Sequence, residues 1–202
     1  MYCGKYDVLC VTETWLHDGV NSGLLDPLCR FNILRNDRDS GYGGVAVFVK
    51  RDIRLVDITV DTVYESLELV CFDVYVGKCK IRFFVIYRPP YYDEAARRYA
   101  DSLIKCLRQY HSVDERTVNV IVGDLNCPKI DWINLWCCSD YISKSLSLII
   151  PVFKWTVVLI LVPLLIDFQC ISLDHIRVMM SYRLIVCRVS FSGCVTFIAA
   201  CH

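Results

Sequence analysis

Apolar residues along this chain fall into short blocks separated by polar, turn-forming stretches, and the blocks are strand-sized. Val8 to Thr12, Val45 to Lys50, Ser66 to Val76, Lys80 to Tyr87 and Val118 to Val122 are rich in β-branched and aromatic side chains, as buried strands require. Gly77-Lys78 separates the third block from the fourth, which makes that pair an antiparallel hairpin. Gly43-Gly44 opens the second and implies a tight turn or close backbone approach. A phosphate-cradling loop does not fit there, because no helix follows. Tyr91 to Tyr110 has the helical period, with Ala95, Ala96, Tyr99, Leu103 and Leu107 on one face and Arg97, Arg98, Lys105 and Arg108 on the other. Residues 17–40 are polar and turn-rich and read as loop. The predicted order is strand, strand, hairpin, helix, strand.

Three strands stop on residues able to do chemistry. The first ends at Glu13, the fourth at Tyr87-Arg88 before Pro89-Pro90, and the last at Gly123-Asp124-Leu125-Asn126, where Pro128 forbids continuation of the ladder. An ionised carboxylate can orient a water or bind a cation, and an amide both donates and accepts. Asp124 and Asn126 could equally bond their own backbone as a turn, and Glu13 could be an ordinary strand-end charge. Strand ends so far apart in sequence converge only if a sheet gathers them.

The 202 residues suffice for one sizeable core, and the net charge of +0 removes any global electrostatic case for a nucleic-acid binder. Arg30, Arg35, Arg38, Lys50, Arg51 and Arg54 flank the early strands and either track a phosphate backbone or are merely solvated. Thirteen cysteines suggest disulfides or zinc, but the number is odd, no C-x-x-C occurs and no secretory signal opens the chain. Cys10, Cys71 and Cys106 lie in apolar stretches and read as core residues of a protein in a reducing, intracellular compartment.

Together, Asp7-Val8-Leu9-Cys10-Val11-Thr12-Glu13-Thr14-Trp15-Leu16, Gly43-Gly44-Val45-Ala46-Val47, Ile86-Tyr87-Arg88-Pro89-Pro90 and Gly123-Asp124-Leu125-Asn126-Cys127-Pro128-Lys129-Ile130-Asp131-Trp132 resemble the endonuclease/exonuclease/phosphatase superfamily. More narrowly they resemble the apurinic-type endonuclease domain of non-LTR (LINE-type, jockey/CR1-like) retrotransposons. The resemblance covers roughly residues 5–135. It implies an α+β fold, a two-layer DNase I-like β-sandwich flanked by helices. It also implies Mg²⁺ or Mn²⁺ bound by Glu13, Tyr87 on the scissile phosphate, Asp124 orienting the attacking water and Asn126 bonding the phosphate. Arg38 and Arg88 are the expected DNA contacts. The implied activity is metal-dependent DNA nicking that primes reverse transcription in the parent element, whose reverse transcriptase domain is absent from this chain. The implied location is nuclear.

Two departures from the family pattern follow. The strand that normally carries a metal-holding Asn is expected upstream of the first strand here, and the family's late Ser-Asp-His has only Leu173-Asp174-His175 as a counterpart. Asp174 is the remaining metal candidate and His175 the remaining acid/base candidate. The domain is therefore expected to be partial, spanning 1–140, incomplete at both ends, and weakly active or inactive. Residues 141–202 form an apolar tail poor in turn residues, with one apolar run from Leu146 to Ile166 interrupted by Lys154. That run meets the roughly 20-residue length of a spanning helix. A frame-shifted or mis-spliced tail is the preferred reading. A membrane anchor at 146–166, which would tether a superfamily phosphatase or lipid phosphodiesterase, is the second, and a diverged domain remainder the third.

Overall fold

In a computed structural model the described residues are 7–38, 42–91, 93–127, 129–130, 141, 143–145 and 147, with three further strands at 156–159, 184–189 and 195–200. They build two five-stranded sheets. The first runs in the order β10 (Val195–Ala200), β9 (Leu184–Val189), β1 (Val8–Thr12), β3 (Val45–Lys50), β2 (Phe31–Asn36), and every pairing in it is antiparallel. The second runs β4 (Arg54–Asp57), β5 (Glu68–Val76), β6 (Cys79–Tyr87), β7 (Thr117–Asp124), β8 (Thr156–Leu159). There β6, β7 and β8 are parallel, and the helix α2 (Glu94–Tyr110) makes the crossover from β6 to β7. A four-residue helix, α1 (Ser22–Leu25), lies in the loop before β2. This is the expected α+β, DNase I-like sandwich.

Alternation of side chains places the cores. Val8 and Cys10 of β1 and Val45, Val47 and Val49 of β3 meet Val70, Phe72 and Val74 of β5, Phe83 and Val85 of β6 and Val120 and Val122 of β7 between the sheets. Phe72 and Phe83, directly opposite in the register, stack with ring centroids 5.0 Å apart. The intervening residues Leu69, Cys71, Phe84, Ile86 and Ile121 face the other way, onto Ala100, Leu103, Ile104 and Leu107 of α2. The second sheet is thus buried on both faces, as the continuous apolar runs of β5 to β7 imply, whereas β1, read from its sequence as fully buried, is buried on one face only. Asp93 caps α2 by accepting from the Ala96 amide at 2.9 Å, so the helix starts after Tyr91, and Ala95 faces solvent rather than the core. Cys10 and Cys71 are buried thiols pushed well up by desolvation, and Cys106 is pushed up to about 12.

Two strands arise where loop or irregular chain was expected. β2 lies within the polar stretch 17–40; Leu34 packs against the inter-sheet core and Asn36 reaches the facing sheet, while Phe31, on the other face, meets Phe48 edge to face. β4 is short and mostly exposed. The tail also supplies strands: β8 pairs with β7, and β9 lies beside β1, where an upstream neighbour was expected to be missing. Thr156–Leu159 is therefore a strand inside the stretch 146–166, where a spanning helix had been considered. Thr-Val-Val-Leu is β-branched, and Pro151 and Pro163 flank it, both of which oppose a continuous helix. Among the described residues no helix is long and apolar enough to cross a membrane.

Candidate active site

The inter-sheet core ends in polar groups at one rim. Glu68, Tyr87 and Asp124 are register partners across β5, β6 and β7, and they continue the inward-facing series that includes Val70, Val85 and Val122. Glu13 follows Thr12 at the end of β1, on the facing sheet. It hydrogen-bonds Tyr87, and its charge acts on Tyr87, Asp124 and Glu68. The rim thus brings together Glu13, Tyr87 and Asp124, all expected at the site, with Glu68, which was not. Nothing in a single sequence sets Glu68 apart from Asp73, another acid in the same strand. Only its pairing opposite Tyr87 does, whereas Asp73 points to the helix side and is neutralised by Arg82 at 2.7 and 2.8 Å.

Each group is locally fixed. Glu13 and Asn126 both have positive φ, at 51° and 46°; Asn tolerates that region, Glu does so only at a cost of about 1–2 kcal/mol. The turn after Glu13 is pinned by Trp15 N–H donating to the Gly43 carbonyl at 3.0 Å and Thr14 N–H to that of Gly44 at 3.4 Å. Glu68 accepts from the Gly44 amide and from Arg38 Nη1 at 3.2 Å, and a side chain at Gly43 would run into the Glu68 carboxylate. Tyr99 of α2 donates its hydroxyl to the Tyr87 carbonyl at 2.7 Å and accepts from the Glu68 amide at 3.2 Å, joining the ends of β5 and β6. Asn36 Nδ2 bonds the carbonyls of Leu67 and Leu69 at 3.0 and 3.2 Å and ties the two sheets together beside the rim.

Asp124 serves the turn and keeps an oxygen for chemistry. Its Oδ1 accepts from the Asn126 amide at 2.9 Å, the backbone turn that the sequence also allowed, which leaves Oδ2 for a water. Asn126 Nδ2 donates to the Arg88 carbonyl at 2.6 Å, so that amide supports the turn as well. Arg88 differs from expectation. It is only 1% exposed, and its guanidinium donates to the carbonyls of Leu125 at 2.6 Å, Tyr91 at 3.0 Å and Asn126. A buried guanidinium wrapped around the Asp124–Asn126 turn holds the site, where the sequence reading had placed it on DNA. Arg38 remains at the rim, paired with Glu68. Asp174 and His175 lie outside the described residues.

Burial, then the neighbouring Glu13 and Asp124 charges, push Tyr87 up to about 12, so at neutral pH it is a protonated hydroxyl and a donor. Burial also raises Asp124, against the lowering by the Asn126 amide, with Glu13 raising it further. Glu68 is raised by burial first as well, and by Glu13. Two carboxylates raised by burial and by the charge of a third acid at one rim make a place for a cation. Among the described residues no three His, Cys, Asp or Glu side chains close around one point. The donor set is oxygen-only, however, and fits a hydrated Mg²⁺ or Mn²⁺, which needs just one or two carboxylates and keeps its waters. A cavity of about 520 Å³ elsewhere, between β2 and β4, is lined by Phe31, Ile33, Arg51 and Leu55 and shares no residue with the rim.

A profile described as "Endonuclease/Exonuclease/phosphatase family" matches residues 2–176. Among solved structures, an AP endonuclease from Archaeoglobus fulgidus is 20% identical, with 63% of this chain and 49% of that one covered and a TM-score of 0.49. Truncated TDP2 from Caenorhabditis elegans is 14% identical, with 59% and 49% covered and a TM-score of 0.41. The chain spans about half the length of these structures. No curated protein matches it.

Proposed function

The chain belongs to the endonuclease/exonuclease/phosphatase family, and from that premise we propose that it is by descent a metal-dependent phosphodiester endonuclease acting on DNA. The observation that carries the reading is the gathering of Glu13, Tyr87 and Asp124 at one rim by two different sheets. Glu13, facing Asp124, is the residue that would hold Mg²⁺ or Mn²⁺. When bound, the metal would neutralise charge building on the phosphate oxygens during in-line displacement. Tyr87, kept protonated, turns its one O–H from Glu13 to the scissile phosphate when substrate is bound. Asp124 takes the proton of the attacking water through its second oxygen, and its raised pKa moves it toward the working range of a general base. Asn126 keeps the Asp124 turn and bonds the phosphate.

Descent from a LINE-type retrotransposon rests on the Tyr87-Arg88-Pro89-Pro90 and Ile130-Asp131-Trp132 motifs, and the partners it implies are DNA and the element's reverse transcriptase. Turnover is slow in this reading, because Leu173 replaces the Ser of the family's Ser-Asp-His and weakens the case for Asp174 and His175 as metal ligand and acid/base. A positioned acid/base is worth about 10²–10⁴-fold. A membrane-tethered phosphodiesterase is disfavoured, since Thr156–Leu159 pairs with β7. The test is nicking of supercoiled plasmid by the purified chain. Slow cleavage that needs Mg²⁺ and vanishes in Asp124→Ala is expected. Cleavage that persists in EDTA, or in Asp124→Ala, would overturn the assignment.

A further inference from the structure

Where the inter-sheet core runs out at Leu34 and Leu55, both sheets stop at a bare strand edge. β2 ends the first sheet and β4 the second, and among the described residues no further strand pairs with either. Their open groups follow from alternation. Phe31 N–H turns away from β3 to donate to Asp26 Oδ2 at 2.7 Å, so Ile33, two residues on, also directs its N–H and C=O outward. Ile58 N–H donates to the Cys71 carbonyl at 3.0 Å, which puts the groups of Val56 on β5 and those of Leu55 and Asp57 on the open side. The cavity of about 520 Å³ lies between these two edges, with Ile33, Leu34, Leu55 and Asp57 all in its walls.

Backbone donors and acceptors in a row call for another backbone, and a strand edge set beside apolar side chains is a place to add one. Charge narrows the partner. Arg51 precedes β4 and Asp57 ends it; both line the cavity and are exposed, and neither has an ion-pair partner among the described residues. Leu24 and Leu28, next to the lining residues Gly23 and Cys29, hold large apolar side chains in water at 74% and 70% exposure. We propose that this groove receives an extended peptide segment of a partner protein, which pairs with β2 at Ile33, sets apolar side chains against Leu34 and Leu55, and carries an acidic residue for Arg51 and a basic one for Asp57. The groove shares no residue with the rim and works whether or not the chain cleaves DNA.

Random peptides displayed on phage are panned on the whole chain, and the enriched sequence is synthesised as a fluorescent probe. It should alternate apolar and polar residues, lack proline, and carry one acidic and one basic residue. N-methylation of a peptide nitrogen that faces β2 should weaken binding by roughly 2- to 13-fold, the worth of one backbone hydrogen bond, while the nitrogens between tolerate it. Bound probe should also slow hydrogen exchange at Ile33. Arg51→Glu, folded by circular dichroism, should prefer a version of the probe whose acidic residue is replaced by a basic one. If Arg51→Glu fails to fold, Asp57→Lys carries the same charge test on the basic residue. No enriched peptide, binding indifferent to N-methylation at every position, or an unchanged charge preference in the folded variant would each overturn the groove.

Discussion

Asp124 is the residue at which burial and chemistry oppose each other most directly. Burial disfavours its charge, and Glu13 adds repulsion, so its folded pKa lies above the ordinary carboxylate value. Between those two values the folded chain binds more protons than the unfolded one, and stability falls as pH rises through that window. Above it, ionised Asp124 is a standing cost. In EDTA, Asp124→Asn should therefore raise the melting temperature at pH 7, and the advantage should fade below about pH 4, where both states carry the proton. The Asn side chain still offers Oδ1 to the Asn126 amide, so the turn is kept. Thermal unfolding by circular dichroism at the two pH values reads this directly, and a variant less stable than wild type at pH 7 would contradict it. Glu13, Tyr87 and Asp124 were legible because each ends an apolar run. Glu68 was not, because it begins one, and its role appears only when β5 is paired with β6. The support that Arg88 gives to the turn was not legible either, because the carbonyls of Tyr91, Leu125 and Asn126 that take up its guanidinium are gathered only by the fold.

Among elements, the β6–α2–β7 unit positions most of the site, and Gly123 is where its tolerance is smallest. Gly123 has φ 137°, and a Cβ there would overlap the Ile86 carbonyl on β6. That close approach keeps Asp124 opposite Tyr87 and lets the Arg88 amide reach the Asp124 carbonyl at 2.8 Å. Gly123→Ala should lose about 1–3 kcal/mol from backbone strain alone, and more from the clash. Urea unfolding is the measurement, and a loss below the lower figure would mean that β6 and β7 can part without consequence. The unit was readable in advance because the helix period and the β-branched run agree, although the Asp93 cap starts the helix later than the period alone suggests. β2 and β4 were not. A strand at the edge of a sheet needs only a few inward residues, so Phe31-Asn32-Ile33-Leu34-Arg35-Asn36 shows too little alternation to stand out from the loop around it.

For the whole molecule, the open question is what the apolar tail is for. A chain whose last third lacks turn residues reads as foreign to a sandwich, and the preferred reading of its sequence was a shifted frame. In the structure β9 pairs with β1 from Val8 to Val11, and β8 pairs with β7 from Val120 to Gly123. Both inner strands would otherwise be edges with unpaired backbone, and β1 and β7 are the strands that deliver Glu13 and Asp124. The family profile, too, runs to residue 176, well into the tail. Strand pairing asks for apolar, β-branched residues but not for a particular sequence, which is how a tail without recognisable motifs can still close two sheets. The prediction is that a chain ending at Ser145 exposes those two edges and associates through them. Size-exclusion chromatography should show oligomers or aggregates of the shortened chain, and its unfolding transition should be lower and broader than that of the full chain. Should the shortened chain stay monomeric with an unchanged transition, β1 and β7 would need no partners from the tail, and the shifted-frame reading of residues after Ser145 would regain its standing.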